Sequence, residues 1–202
     1  MKNNYCTIYI ARHGQTQWNV KGKIQGHTDS PLTKEGIAQA KNLAQELKKI
    51  KFDAVYSSDL LRAKRTAQFV ALEHQLIVKT KESLRERNFG HLEGQDKDGL
   101  VLLEQLRKQK IPYETKNIES DEKMIERVIL FLRELAVAYP AKTVLVVSHG
   151  GILRTLLVHL GFVTYEQMNK LHIGNTSYIK IDSDGVDFFI KETKKIEIQQ
   201  EK

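Results

Sequence analysis

Thr143-Val144-Leu145-Val146-Val147-Ser148-His149-Gly150-Gly151 is the stretch that decides the fold. Thr143 to Val147 is a near-continuous apolar, β-branched run. Such a run reads as a strand covered on both faces, which is typical of parallel sheets. It ends at a histidine and two glycines. Glycines there let the backbone approach a ligand closely, and the free N–H groups of a helix start attract anions. A plainer reading, a tight strand-to-helix turn, fits Gly150-Gly151 equally well.

Working outward, Ser120 opens an amphipathic helix whose apolar face is Ile125, Val128, Ile129, Leu132 and Leu135, with Asp121 and Glu122 suited to its first turn. Downstream, Gly150 to Leu160 reads as a helix ended by Gly161. Ser177–Ile181 and Val186–Ile190 flank Asp184-Gly185, a hairpin signal. From Lys191 the chain turns polar and reads as a frayed end.

The N-terminal half repeats the strand–helix alternation. Thr7–Ala11 is a strand, followed by a long unpatterned loop from Arg12 to Leu32, a length that points to function. Thr33 caps a helix with Ile37, Ala40, Ala44 and Leu47 on one face. Ala54–Ser57 is a strand, Asp59 reads as the N-cap of a helix to about Glu73, and Ile77-Val78 is a further short strand. Ser83–Asp98 reads as loop and Leu100–Lys108 as helix. The alternation implies an α/β fold: a three-layer α/β/α sandwich with a mostly parallel sheet and an antiparallel edge strand. One domain is expected over residues 1–202.

Ligands of such sheets bind beyond the carboxyl ends of the strands. Arg12-His13-Gly14 and Ser148-His149-Gly150 each follow a strand, so both belong to one rim. His13 is a nucleophile, a phosphate ligand or an ordinary loop histidine. Arg62 lies in the first turn of a helix, where a cation opposes the helix dipole; a neighbouring anion or simple solvation would resolve the conflict. Glu86, between Arg85 and Arg87, is a functional acid or a surface ion pair. Trp18 reads as packing, and Asn19 as a phosphate donor or a turn cap.

Five segments then carry a resemblance. They are Arg12-His13-Gly14-Gln15-Thr16-Gln17-Trp18-Asn19, the run from Gln25 to Gly36, the run from Tyr56 to Ala67, the run from Leu84 to Gly94, and Val146 to Gly151. In that order they resemble the histidine phosphatase superfamily, in the branch of phosphoglycerate mutases and small phosphatases. The resemblance implies that His13 becomes the phosphohistidine. It implies that Arg12, Arg62 and His149 surround the phosphoryl oxygens, where His149 would add charge if protonated, and that Glu86 is the proton donor. Asn19, Gln25, Gly26 and the Gly150 backbone would complete the pocket, with no metal and no cofactor. The chemistry is coherent, because fixed cations stabilise the charge spread over a transferring phosphoryl group.

The chain has no adjacent arginine pair, which family mutases use to grip a carboxylate. That favours a phosphatase acting on a small phosphorylated substrate. A mutase is the first alternative, and an inactive phosphate-binding protein the second. Where family phosphatases carry Gly-Glu-Ser, this chain has Ile118-Glu119-Ser120. Arg85, Arg87, His91, Tyr113 and Lys116 are the side chains expected to border the substrate.

Composition narrows the partners. The net charge of +7 attracts anions, but the basic residues are interspersed with acidic ones, and no zinc-ligand cysteines or RNA-binding aromatic signature occur, so nucleic acid is not expected. No apolar run reaches the roughly 18 residues of a membrane span, nor does the N-terminus read as a signal peptide. The single cysteine, Cys6, reads as a small buried side chain and suits a reducing compartment, so the expected location is the cytoplasm. Composition leaves the oligomeric state open.

Overall fold

The computed structural model describes residues 4–96, 98, 101–109 and 111–199. Its strands are β1 (Cys6–Arg12), β2 (Ala54–Ser58), β3 (Val78–Lys81), β4 (Thr143–Ser148), β5 (Leu171–Ser183) and β6 (Phe188–Ile198). Its helices are α1 (Gln17–Val20), α2 (Lys34–Leu47), α3 (Leu61–Glu73), α4 (Val101–Lys108), α5 (Asp121–Ala138) and α6 (Gly150–His159). The strands form one sheet in the order β3-β2-β4-β1-β5-β6. β3, β2, β4 and β1 run parallel, whereas β5 and β6 add two antiparallel pairings at the edge beside β1.

The apolar run of β4 serves both faces of the sheet because strand side chains alternate. Val144 and Val146 enter the core beneath α5 and α6, together with Ile8 and Ile10 of β1. Leu145 and Val147 enter the core beneath α2 and α3, with Tyr9 and Ala11. Burying each such aliphatic side chain stabilises the fold by about 1.5–3 kcal/mol. A charged residue at Val146 would therefore break the central strand. This double coverage is the three-layer arrangement expected from the sequence. Cys6 is buried in the first of these cores. Among the described residues, no helix is long and apolar enough to cross a membrane.

Several local expectations are corrected. The loop after β1 contains α1, started by a capping box in which the Thr16 hydroxyl accepts the Asn19 amide and the Asn19 carbonyl accepts the Thr16 amide. Thr33 caps α2 as expected, but Ile37 is exposed and Leu43 fills the core beside Ala44 and Leu47. Asp59 does not cap α3; it is drawn away to the Arg85 guanidinium, with oxygens 2.9 and 2.5 Å from its nitrogens. The helix expected from Leu100 begins at Val101, and Leu100 itself lies outside the described residues.

The hairpin is far longer than its sequence signal. Asp184 accepts the Val186 and Asp187 amides and Gly185 adopts a positive φ, so the turn extends to Asp187. From Lys191 the chain continues as strand to Ile198, paired with β5. Its residues are polar because β6 is an edge strand facing water, and ladder pairing does not require apolar side chains.

Candidate active site

Arg12, His13, Asn19, Gln25, Gly26, Arg62, Glu86 and Gly150 line one cavity of about 700 Å³ at the carboxyl ends of β1 and β4. That size is ordinary for a small-molecule site. His149 sits beneath it, fully buried, with its ring centroid 5.3 Å from that of His13.

His13 is 3% exposed. Its Nδ1 lies 2.7 Å from the Gly14 carbonyl. A carbonyl oxygen can only accept, so Nδ1 carries the proton and Nε2 keeps the lone pair. Burial, then the charges of Arg62 and Arg12, holds this imidazole well below its ordinary pKa, so it is neutral at pH 7. The peptide around it is pinned from several sides. The His13 amide donates to Ser148 O, the Gly14 amide donates to the Thr66 hydroxyl of α3, and the His13 carbonyl accepts from the Asn175 side chain at 3.0 Å.

Glycines make the close approaches possible. A Cβ on Gly36 would fall 1.9 Å from Gln15 O, and one on Gly14 2.5 Å from Gly36 O, so the histidine loop rests directly on the start of α2. A Cβ on Gly151 would fall 2.3 Å from Glu86 Oε1. Gly150 leaves room for the Arg12 guanidinium, whose Nε would stand 3.2 Å from an added Cβ.

Arg12 donates through Nη1 to Ile173 O at 2.5 Å. Burial, partly offset by Glu86, brings its pKa down to about 10, still charged at neutral pH. Arg62 donates to Gly26 O at 2.6 Å, Thr28 O at 3.0 Å and Asp29 Oδ1 at 2.9 Å. Asp29 is the anion that the dipole conflict called for: its other oxygen accepts the Leu61 amide at 2.6 Å, capping α3. Glu93 in turn shapes that loop, its carboxylate accepting the His27 and Thr28 amides and the Thr28 hydroxyl.

The Glu86 carboxylate accepts the Gly151 amide on one oxygen and the Arg87 amide on the other, each at 2.9 Å. Asn19 does cap its turn with its carbonyl oxygen while lining the cavity, and Gln25 accepts the Thr16 hydroxyl. Trp18 packs against Gly94, as its packing role anticipated.

Complete burial, followed by the Arg62 charge, pushes the His149 pKa well below the usual value, so the ring is neutral at pH 7. Of the expected substrate-bordering residues, only Arg87 reaches the cavity. Arg85 is held by Asp59, and His91 and Lys116 are exposed, the His91 ring meeting Lys116 O. Tyr113 is buried in a small separate core with Ile118 and Leu106. Lys23, Phe89, Arg154, Met168 and His172 line the cavity instead. Phe89 stands in a recognised segment but was not singled out; the others were missed because no local pattern marks them, and the topology alone brings α6 and β5 to this wall.

Among the described residues, the buried Nε atoms of Arg12 and Arg62 and both ring nitrogens of His149 have no protein hydrogen-bond partner. Buried polar groups are rarely left so. The two guanidinium N–H groups, with the single N–H of a neutral His149 ring, beside the neutral His13 imidazole suit a tetrahedral oxyanion. No cluster of three or more His, Cys, Asp or Glu able to hold a metal occurs among the described residues.

Sequence and structural comparisons define the class. The histidine phosphatase superfamily (branch 1) matches residues 8–195, and the chain belongs to that family. It is a phosphoryl-transfer enzyme of the superfamily. A putative phosphoserine phosphatase 2 from Hydrogenobacter thermophilus is 36% identical over 189 residues, 88% of this chain and 90% of that one. A probable phosphoglycerate mutase, GpmB, from Yersinia pestis is 37% identical over 180 residues, 87% of this chain and 84% of that one. The crystal structure of an Entamoeba histolytica phosphoserine phosphatase with 3-phosphoglyceric acid superposes with a TM-score of 0.81 at 30% identity, covering 94% of this chain and 96% of that one.

Proposed function

We propose that this chain is a metal-independent phosphomonoesterase that hydrolyses a small phosphorylated metabolite through a phosphohistidine on His13, with Glu86 as proton donor and acceptor. The observation that carries the reading is the His13–Gly14 hydrogen bond. It leaves a neutral imidazole with its Nε2 lone pair free, in a cavity lined by Arg12 and Arg62.

The Nε2 lone pair attacks phosphorus while the ester P–O bond breaks, and protonated Glu86 gives its proton to the leaving oxygen. The resulting carboxylate then takes a proton from a water whose oxygen attacks phosphorus. The P–N bond breaks, phosphate is released and His13 returns neutral. Arg12 and Arg62 supply the charge stabilisation that a metal gives in other phosphoryl-transfer sites. The buried Cys6 suits a reducing compartment, and we read the protein as one cytoplasmic domain.

His13→Ala is expected to abolish turnover and phosphoenzyme labelling; labelling that persists in the variant would refute the nucleophile. Glu86→Gln is expected to slow alkyl phosphates by about 10²–10⁴-fold while sparing p-nitrophenyl phosphate, whose leaving group needs no proton. EDTA is expected to leave the rate unchanged. The mutase relative motivates a second reading. Rapid interconversion of phosphoglycerates primed by 2,3-bisphosphoglycerate, without release of phosphate, would establish it in place of the first.

A further inference from the structure

The Ile118-Glu119-Ser120 segment has no part in the chemistry above, yet it leads directly to Glu86. Glu119 is bound by Arg127, two turns along α5. Arg127 Nε donates to Glu119 Oε1 at 2.6 Å and Nη2 to Glu119 Oε2 at 2.8 Å. The same guanidinium donates through Nη1 to Ser83 O and Arg85 O, both at 2.7 Å, and through Nη2 to Glu86 O at 3.1 Å. A guanidinium has five N–H groups, and these five contacts engage it fully. Arg127 and Glu119 side chains are 23% and 15% exposed, so the pair is largely screened from water.

The segment that Arg127 grips needs such a partner. Residues 86–89 belong to no helix or strand, so no ladder fixes their carbonyls. Glu119 tightens the grip from its own side, because its carboxylate accepts the Asn88 amide and its amide donates to Asn88 O. His27 supplies a second contact to Glu86 O, at 3.0 Å. The backbone of Glu86 is thereby fixed, while its carboxylate reaches Gly151 at the cavity.

We propose that Arg127, braced by Glu119, is the positioning residue for the Glu86 carboxyl group. It touches no substrate. It sets where the proton donor stands relative to the phosphoryl pocket. This rests on the reading of Glu86 as proton donor, and it also makes a geometric claim independent of that reading.

The test compares Arg127→Lys and Glu119→Gln with Glu86→Gln on an alkyl phosphate and on p-nitrophenyl phosphate, alongside a crystal structure of each variant. Lysine keeps the charge but cannot fork to three carbonyls and a carboxylate. Arg127→Lys is expected to lower kcat on the alkyl ester about 10²-fold, with KM and the aryl ester rate within about threefold. Glu119→Gln is expected to show the same pattern more weakly. In both structures the Gly151–Glu86 contact opens. Equal losses on the two esters, or a Glu86 carboxylate still on the Gly151 amide in both variants, would overturn the proposal. If Glu86→Gln itself shows no leaving-group dependence, the proton-donor reading fails, and the crystal structures still decide whether Arg127 positions the carboxylate.

Discussion

Asp29 binds the Arg62 guanidinium with one carboxylate oxygen, at 2.9 Å, and with the other closes the N-terminus of the helix on which Arg62 rides. One side chain thus neutralises a buried cation and removes the penalty of placing that cation at the positive end of a helix dipole. The Arg62 side chain has no exposure to solvent.

Asp29→Asn keeps a capping oxygen but removes the charge. We expect kcat/KM to fall about 10–100-fold, equally for alkyl and aryl phosphates, because in the proposed mechanism Arg62 serves the phosphoryl group and not the leaving group. Asp29→Ala adds the lost cap and should cost roughly 2–4 kcal/mol of stability. Urea unfolding and steady-state kinetics on both variants check this. A leaving-group dependence would mean that Asp29 acts through Glu86 instead.

Gly36→Ala places a methyl group against the Gln15 carbonyl, a backbone atom that cannot swing aside. We expect a loss of about 1–3 kcal/mol from overpacking. The histidine loop should also move, so kcat should fall although residue 36 touches no substrate. An unchanged urea midpoint with an unchanged kcat would show that α2 and the loop slide apart freely.

Buried His13 and His149 have depressed pKa values, and burial lowers His74 as well. The folded state therefore prefers them neutral, and the unfolded chain binds more protons once pH falls below about 6.5. Stability should be complete above that pH and decline as pH drops, each histidine adding a slope of up to about 1.4 kcal/mol per pH unit. Asp59 and Glu119 are also depressed, but from lower starting values, so their losses belong to more acidic solution. Between pH 6.5 and 5.0 the decline should come from the histidines. His149→Gln should make it shallower, leaving the shares of His13 and His74; an identical slope in that variant would mean that His149 titrates normally.

The parallel centre of the sheet was legible because Val144 to Val147 must be apolar on both faces. β6 was legible only as far as Ile190, because an edge strand asks little of its side chains. β5 was truncated in the reading by Gly174-Asn175-Thr176, which breaks the register between Ile173 and Tyr178. The candidate site divides similarly. Arg154, Met168 and His172 line the cavity from outside any recognisable segment, whereas the cavity residues that were expected stand in such segments. Those that hold them, Asp29, Glu93, Arg127 and Asn175, act across long sequence distances on loop backbone or on another side chain, and no spacing rule marks them. Asp59 shows the reverse error: a good local cap residue was claimed by Arg85, 26 positions away.

The irregularity in β5 has a temporal consequence. Asn175 and Thr176 both bond the His13 carbonyl. A chain emerging from the ribosome therefore completes all five recognisable segments by Gly151 while His13 still lacks those two supports. The His13 carbonyl gains them only when β5 adds itself alongside β1, so the candidate site is completed with the edge of the sheet rather than its middle.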